Sequence, residues 1–92
     1  MTDFLVHDNR DTVGVAVTDL HAAQTARGVA LDSRTIVELT ALQEIPFGHK
    51  IALRDFEVGE TVTKYGEDIG KVVAPIKKGE HVHVHNLKTK RW

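Results

Sequence analysis

No cysteine occurs among the 92 residues, which removes disulfides, thiolate zinc sites and cysteine nucleophiles together. Any metal must be held by histidine, carboxylate or carbonyl oxygen. Serine is nearly as scarce. Ser33 stands alone in a turn-like Asp32-Ser33-Arg34, and no Gly-x-Ser-x-Gly elbow exists to activate it. Residues 64–70 (Lys-Tyr-Gly-Glu-Asp-Ile-Gly) space two glycines four apart, yet no Gly-Lys-Ser/Thr occurs, so no phosphate loop is present. Apolar runs are short of the ~20 residues that cross a bilayer. The start, Met1-Thr2-Asp3-Phe4, lacks the basic and apolar regions of a signal peptide. These absences lead to the expectation of a cytoplasmic protein with no membrane partner.

What is there suits one small domain. A chain of this length buries roughly two-thirds of the surface its unfolded form exposes, so its core is thin. Hydrophobic residues at 41% and charged residues at 27% are globular proportions. The net charge of −1 hides an uneven spread. Residues 1–70 carry six Lys/Arg against twelve Asp/Glu, whereas residues 71–92 carry Lys71, Lys77, Lys78, Lys88, Lys90 and Arg91 against Glu80 alone. Such a segment suits a small anion or an acidic partner surface, and equally a solvated tail. It is short and carries one aromatic, Trp92, so nucleic acid is not the expected partner.

Periodicity is that of short strands. Residues 12–17 (Thr-Val-Gly-Val-Ala-Val) are β-branched and alternate. Over residues 35–42, Ile36, Glu38 and Thr40 share one face and Val37, Leu39 and Ala41 the more apolar other. Residues 20–27 (Leu-His-Ala-Ala-Gln-Thr-Ala-Arg) are the best candidate for a helical turn. Three segments, 46–51, 57–62 and 77–82, share the theme x-x-Gly-[His/Glu]-x-[Ile/Val]. Glycine there supplies a positive φ, and the β-branched residue opens the next strand. The expected fold is mainly β: a compact, irregular, barrel-like domain of short strands with little helix. Tyr65 and Ile69 are read as core residues.

Half of the six histidines lie in His81-Val82-His83-Val84-His85-Asn86. As a strand, this run puts three imidazoles on one face and both valines on the other. Imidazole ligates zinc, iron, copper or nickel and titrates near neutrality. Spacing alone fits an exposed stripe without a ligand as well as half of a metal site, two of the three histidines plus one from another turn. His49 follows an equivalent glycine, and the neighbouring Lys50 favours its neutral form. A chain this small rarely closes a water-excluding pocket alone, so any chemistry is expected to need a second chain.

Taken together, Asp11-Thr12-Val13-Gly14-Val15-Ala16, Ile45-Pro46-Phe47-Gly48-His49-Lys50-Ile51, residues 62–70 and Gly79-Glu80-His81-Val82-His83-Val84-His85-Asn86-Leu87 resemble the N-terminal domain of the altronate/galactarate dehydratase family. The resemblance covers essentially the whole chain and implies one SAF-type β-clip domain over residues 1–92. In sugar-acid dehydratases that domain is fused to a larger catalytic one. This chain stops at residues 88–92 (Lys-Thr-Lys-Arg-Trp) and is similar to free-standing small subunits of carbon–sulfur lyases. The resemblance therefore implies a large catalytic subunit as partner and a small anionic 2-hydroxy acid as substrate. It implies a divalent metal, Fe2+, on His83 and His85, with His49 or His81 completing the set. His49, His83 and His85 would act in catalysis, and Lys50, Lys64 and Asn86 would bind substrate. A dehydratase small subunit and a non-catalytic module that binds an anion or partner are the alternatives.

Overall fold

One buried side chain organises the sheet of the N-terminal half. Phe4 is fully buried and lies between glycines on both neighbouring strands. A Cβ on Gly14 would stand 2.7 Å from the Phe4 ring, and one on Gly28 would overlap it. The absent side chains make room for the ring. A computed structural model describes residues 1–89; Lys90, Arg91 and Trp92, the end of the basic segment, lie outside the described residues. Nine strands form: β1 (Phe4–Val6), β2 (Val13–Ala16), β3 (Thr25–Ala30), β4 (Ile36–Thr40), β5 (Lys50–Ala52), β6 (Thr61–Lys64), β7 (Glu67–Val72), β8 (His81–Val82) and β9 (Leu87–Lys88). They make a six-stranded sheet ordered β4-β3-β1-β2-β5-β8 and a three-stranded sheet ordered β6-β7-β9. Among the described strands only β1 and β3 pair in parallel. No helix occurs among the described residues, and the mainly-β expectation holds.

The predicted helical turn over residues 20–27 does not form. Leu20 and Ile45 instead exchange backbone hydrogen bonds at 2.8 and 2.9 Å. Both are essentially buried, and β3 begins at Thr25, with Ala26 and Ala30 pointing inward. The segment is a fourth copy of the glycine-turn theme, hidden because Ala23, at φ 70, holds the glycine position. The four turns work in two pairs. Leu20 bridges Ile45, and Phe56 bridges Ile76. In each turn the residue after the positive-φ position donates its N–H to the carbonyl three residues back, as in Glu60 to Glu57 at 3.2 Å and Glu80 to Lys77 at 2.9 Å. Gly48, Gly59 and Gly79 take φ values of 83, 97 and 91, as the theme requires.

Two apolar clusters follow this pairing. One gathers Phe4, Leu20, Leu39, Ile45 and Ile51, and the other Val13, Phe56, Val62, Val72, Ile76 and Val82. Each fully buried side chain of this size is worth about 1.5–3 kcal/mol. The small sheet is tied to the large one through residues 11 and 12. Thr12 N–H donates to the Thr63 carbonyl at 3.0 Å, Thr63 N–H donates to Thr12 Oγ1 at 3.1 Å, and Gly66 N–H donates to the buried Asp11 carboxylate at 2.9 Å. Tyr65 is not a core residue. It is 57% exposed at φ 55 in the β6–β7 turn, with its ring against His7. Ile69 does pack on the second cluster.

The histidine run is a strand only as far as Val82. That side chain is buried as expected, but Val84 is 67% exposed, because the chain turns over residues 83–86. Asn86 drives the turn. Its Oδ1 accepts from His83 N–H at 2.9 Å, and its Nδ2 donates to the His81 carbonyl at 2.8 Å. A buried Asn with both amide atoms satisfied locally outweighs the weak β preference of a Val-His alternation.

Candidate metal centre

His49 is available because one turn breaks the pattern of the others. In the third and fourth turns the residue after glycine is a glutamate that folds back on the turn. Glu60 accepts from Glu57 N–H, and Glu80 from Lys77 N–H, both at 2.6 Å. Gln24 does the same for His21 N–H at 2.9 Å. In the second turn Pro46 occupies the donor position and has no N–H to offer. The capping side chain then has no local partner, and His49 takes its place and reaches outward.

The ring it meets is His81. β5 and β8 pair in antiparallel register with Ile51 opposite His81, and Gln43 Oε1 accepts His81 N–H at 2.9 Å. This brings His49 Nδ1 within 2.8 Å of His81 Nε2. The turn at residues 83–86 folds His83 back, so that its ring stacks on His49 with centroids 4.2 Å apart. Ligand nitrogens of His49, His81 and His83 all lie within 4.8 Å of one another, and each residue is partly buried. A tetrahedral cation with bonds of about 2.1 Å needs donors roughly 3.4 Å apart, so small ring rotations suffice. Three imidazoles also leave coordination positions open for a substrate. The donor set fits a borderline divalent cation.

Electrostatics favours the neutral form of His81 and His83. Burial, followed by repulsion from His49, His85, His83 and Lys50, lowers the His81 pKa to about 4. Burial and the same kind of neighbours, His49 first, push His83 down as well. Neutral imidazoles present the lone pairs that a metal requires.

Of the residues expected from sequence, the structure brings together His49, His81 and His83. His85 stands one step outside, its ring 5.4 Å from that of His81, and the ligand trio does not include it. Asn86 is 5% exposed with its amide engaged by the turn, so it positions His83 instead of facing a ligand. Lys50 lines an open groove of about 280 Å³ with Ile69, His83, Val84, Leu87 and Thr89. Partial burial lowers the Lys50 pKa, and the nearby charge of Lys64 adds to this. Lys64 lies over the Tyr65 ring, 3.9 Å from its centroid. Gln43 and Pro46 are the site-shaping residues that sequence reasoning missed. Pro46 was detectable as the departure from the Gly-Glu theme, whereas Gln43 carries no sequence signal.

Comparison with known proteins agrees with this architecture. Residues 2–90 match the family described as the altronate/galactarate dehydratase SAF domain. The chain is 50% identical over 91 residues to the (2R)-sulfolactate sulfo-lyase subunit alpha of Chromohalobacter salexigens, covering 98% of this chain and 97% of that one. It is 59% identical over 54 residues to the subunit of the same name from Paracoccus pantotrophus, covering 59% of this chain and 81% of that one. Altronate dehydratase of Escherichia coli is 42% identical over 79 residues, which span 86% of this chain but 15% of that enzyme.

Proposed function

This chain belongs to the altronate/galactarate dehydratase SAF-domain family, and from that premise we propose that it is the alpha subunit of a (2R)-sulfolactate sulfo-lyase. The observation that carries the reading is the 50% identity that runs through nearly all of both chains. The reaction eliminates sulfite from (2R)-3-sulfolactate: a proton leaves C2, a C2–C3 double bond forms, and the C3–S electron pair departs with sulfur. The resulting enol tautomerises to pyruvate.

In this reading His49, His81 and His83 hold a divalent cation, Fe2+ by family resemblance, which when bound lends Lewis acidity toward the substrate's carboxylate and 2-hydroxyl. His85, beside the trio but outside it, is free to carry a proton between the site and water. The cationic edge formed by Lys50 and Lys64 attracts the dianionic substrate. A large subunit supplies the rest of the cavity. Two facts support that partner. The site is an open groove, and Phe47 and Val84, each 67% exposed, stand on the two histidine-bearing loops where a covering chain would bury them. Moreover, the domain accounts for only 15% of the dehydratase it resembles, so there too a large remainder accompanies it.

The test supplies the two-chain complex with either (2R)-3-sulfolactate or altronate and measures sulfite and 2-oxo acid. Sulfite and pyruvate in equal amounts from the first, and no 2-oxo acid from the second, are expected. Turnover of altronate without sulfite release would replace the sulfo-lyase reading with the dehydratase one.

A further inference from the structure

We propose that the groove beside His83 is a dedicated sulfonate subsite, cationic at Lys50 with the charge of Lys64 nearby and apolar at Ile69, Val84 and Leu87, and that it also receives the departing sulfite. The proposal rests on the sulfo-lyase reading and divides the substrate between two places. The carboxylate and 2-hydroxyl lie at the histidine trio, and the C3 substituent lies in the groove.

Three observations point to this division. First, Lys50 lines the groove half-buried at the start of β5, and among the described residues it forms no ion pair with a carboxylate. A cation placed so, with the charge of Lys64 nearby, favours an anion beside it. Second, His83 itself lines the groove, so a ligand anchored at the trio can extend into it. Third, Ile69, Val84 and Leu87 line the groove, with Thr89 beside them. The three apolar side chains suit a methylene and a weakly hydrated sulfonate and leave few partners for the several hydroxyls of a sugar acid. The arrangement also favours the reaction itself. As the C3–S bond breaks, the electron pair stays on sulfur and the group gains a second negative charge. Fixed cations beside it therefore interact more strongly with the departing sulfite than with the bound sulfonate.

The experiment titrates the full 92-residue chain with methanesulfonate, with sodium sulfite and with (2R)-lactate, following backbone amide shifts by NMR. Methanesulfonate and sulfite are expected to move the amides of Lys50, Ile69 and Leu87, and lactate, which keeps the carboxylate and hydroxyl, is expected to leave them in place. Lys50→Met should weaken sulfite binding at least about tenfold, the scale of a charge-assisted contact, and Lys50→Arg should restore most of it. Lys64→Met, on the accessible β6 end, should weaken it in the same direction and guards against a folding defect at position 50. Sulfite binding unchanged by both Met variants, or lactate occupying the groove as sulfite does, would overturn the subsite. A wild-type complex inert toward sulfolactate but with groove shifts intact would refute the sulfo-lyase reading and leave the subsite standing. Turnover of sulfolactate without groove shifts would do the reverse.

Discussion

At the scale of single residues, the site depends on which imidazoles share one point in space. His81 has the strongest geometric position, 2.8 Å from His49 and parallel to His83 within 12°. Outer-shell partners of metal sites are commonly worth about 10–100-fold in affinity, so loss of a ligand should exceed that lower figure. Calorimetric titration with Zn2+ is therefore expected to show a loss of more than about tenfold for His49→Ala, His81→Ala or His83→Ala, and little change for His85→Ala. The same crowding predicts a pH dependence. The folded His81 pKa is lowered to about 4 by burial first and neighbouring imidazoles second, whereas an unfolded histidine titrates near 6.5. Between these values the unfolded chain binds the extra proton, so stability rises with pH across that window and is lost as pH falls through it. Urea midpoints measured from pH 7 down to 4.5 should decline, and His81→Gln should flatten the decline. His21 works in the opposite sense. Its hydrogen bond to Glu44 raises its pKa, which favours the fold below the unfolded value and is lost as pH rises through the folded one. Both partners are well exposed, so solvent screens this pair and the His81 trend should dominate.

At the scale of elements, one turn motif used four times builds the molecule, and a change in one copy builds the site. Glutamate caps the third and fourth turns and glutamine the first; proline and histidine replace the donor and its cap in the second. Restoring the cap should exchange function for stability. Relative to Pro46→Ala alone, Pro46→Ala with His49→Glu is expected to gain ~1 kcal/mol by urea denaturation and to lose Zn2+ binding. Equal stability of the two would mean that the cap is not what the second turn lacks. Much of this was legible in sequence. The glycine theme marked three turns, and the alternation over residues 35–42 placed Leu39 inside and Glu38 outside, as found. The first turn was missed because Ala23 adopts a backbone conformation that composition assigns to glycine, and its Ala, Gln and Leu neighbours mimic a helix. The histidine run was misread past Val82 because alternation reports strand preference and is blind to a buried asparagine closing a turn.

At the scale of the whole molecule, the site lies where the two turn pairs meet. His49 comes from the Leu20–Ile45 pair and His81 from the Phe56–Ile76 pair, joined by the β5–β8 ladder. Sequence showed both histidine motifs but not this junction, since contacts between residues 32 positions apart depend on register and leave no local trace. The junction is also an open side of the domain, with the groove, Lys50 and the exposed Phe47 and Val84 around it. A half-site at an exposed junction is what a subunit presents to a larger catalytic partner. The most direct measurement mixes the chain with its large subunit and (2R)-3-sulfolactate and follows sulfite release, with wild-type and His81→Ala chains in parallel. Release that requires both subunits and falls sharply with His81→Ala is predicted. Release by the large subunit alone, equal to that of the mixture, would contradict the account.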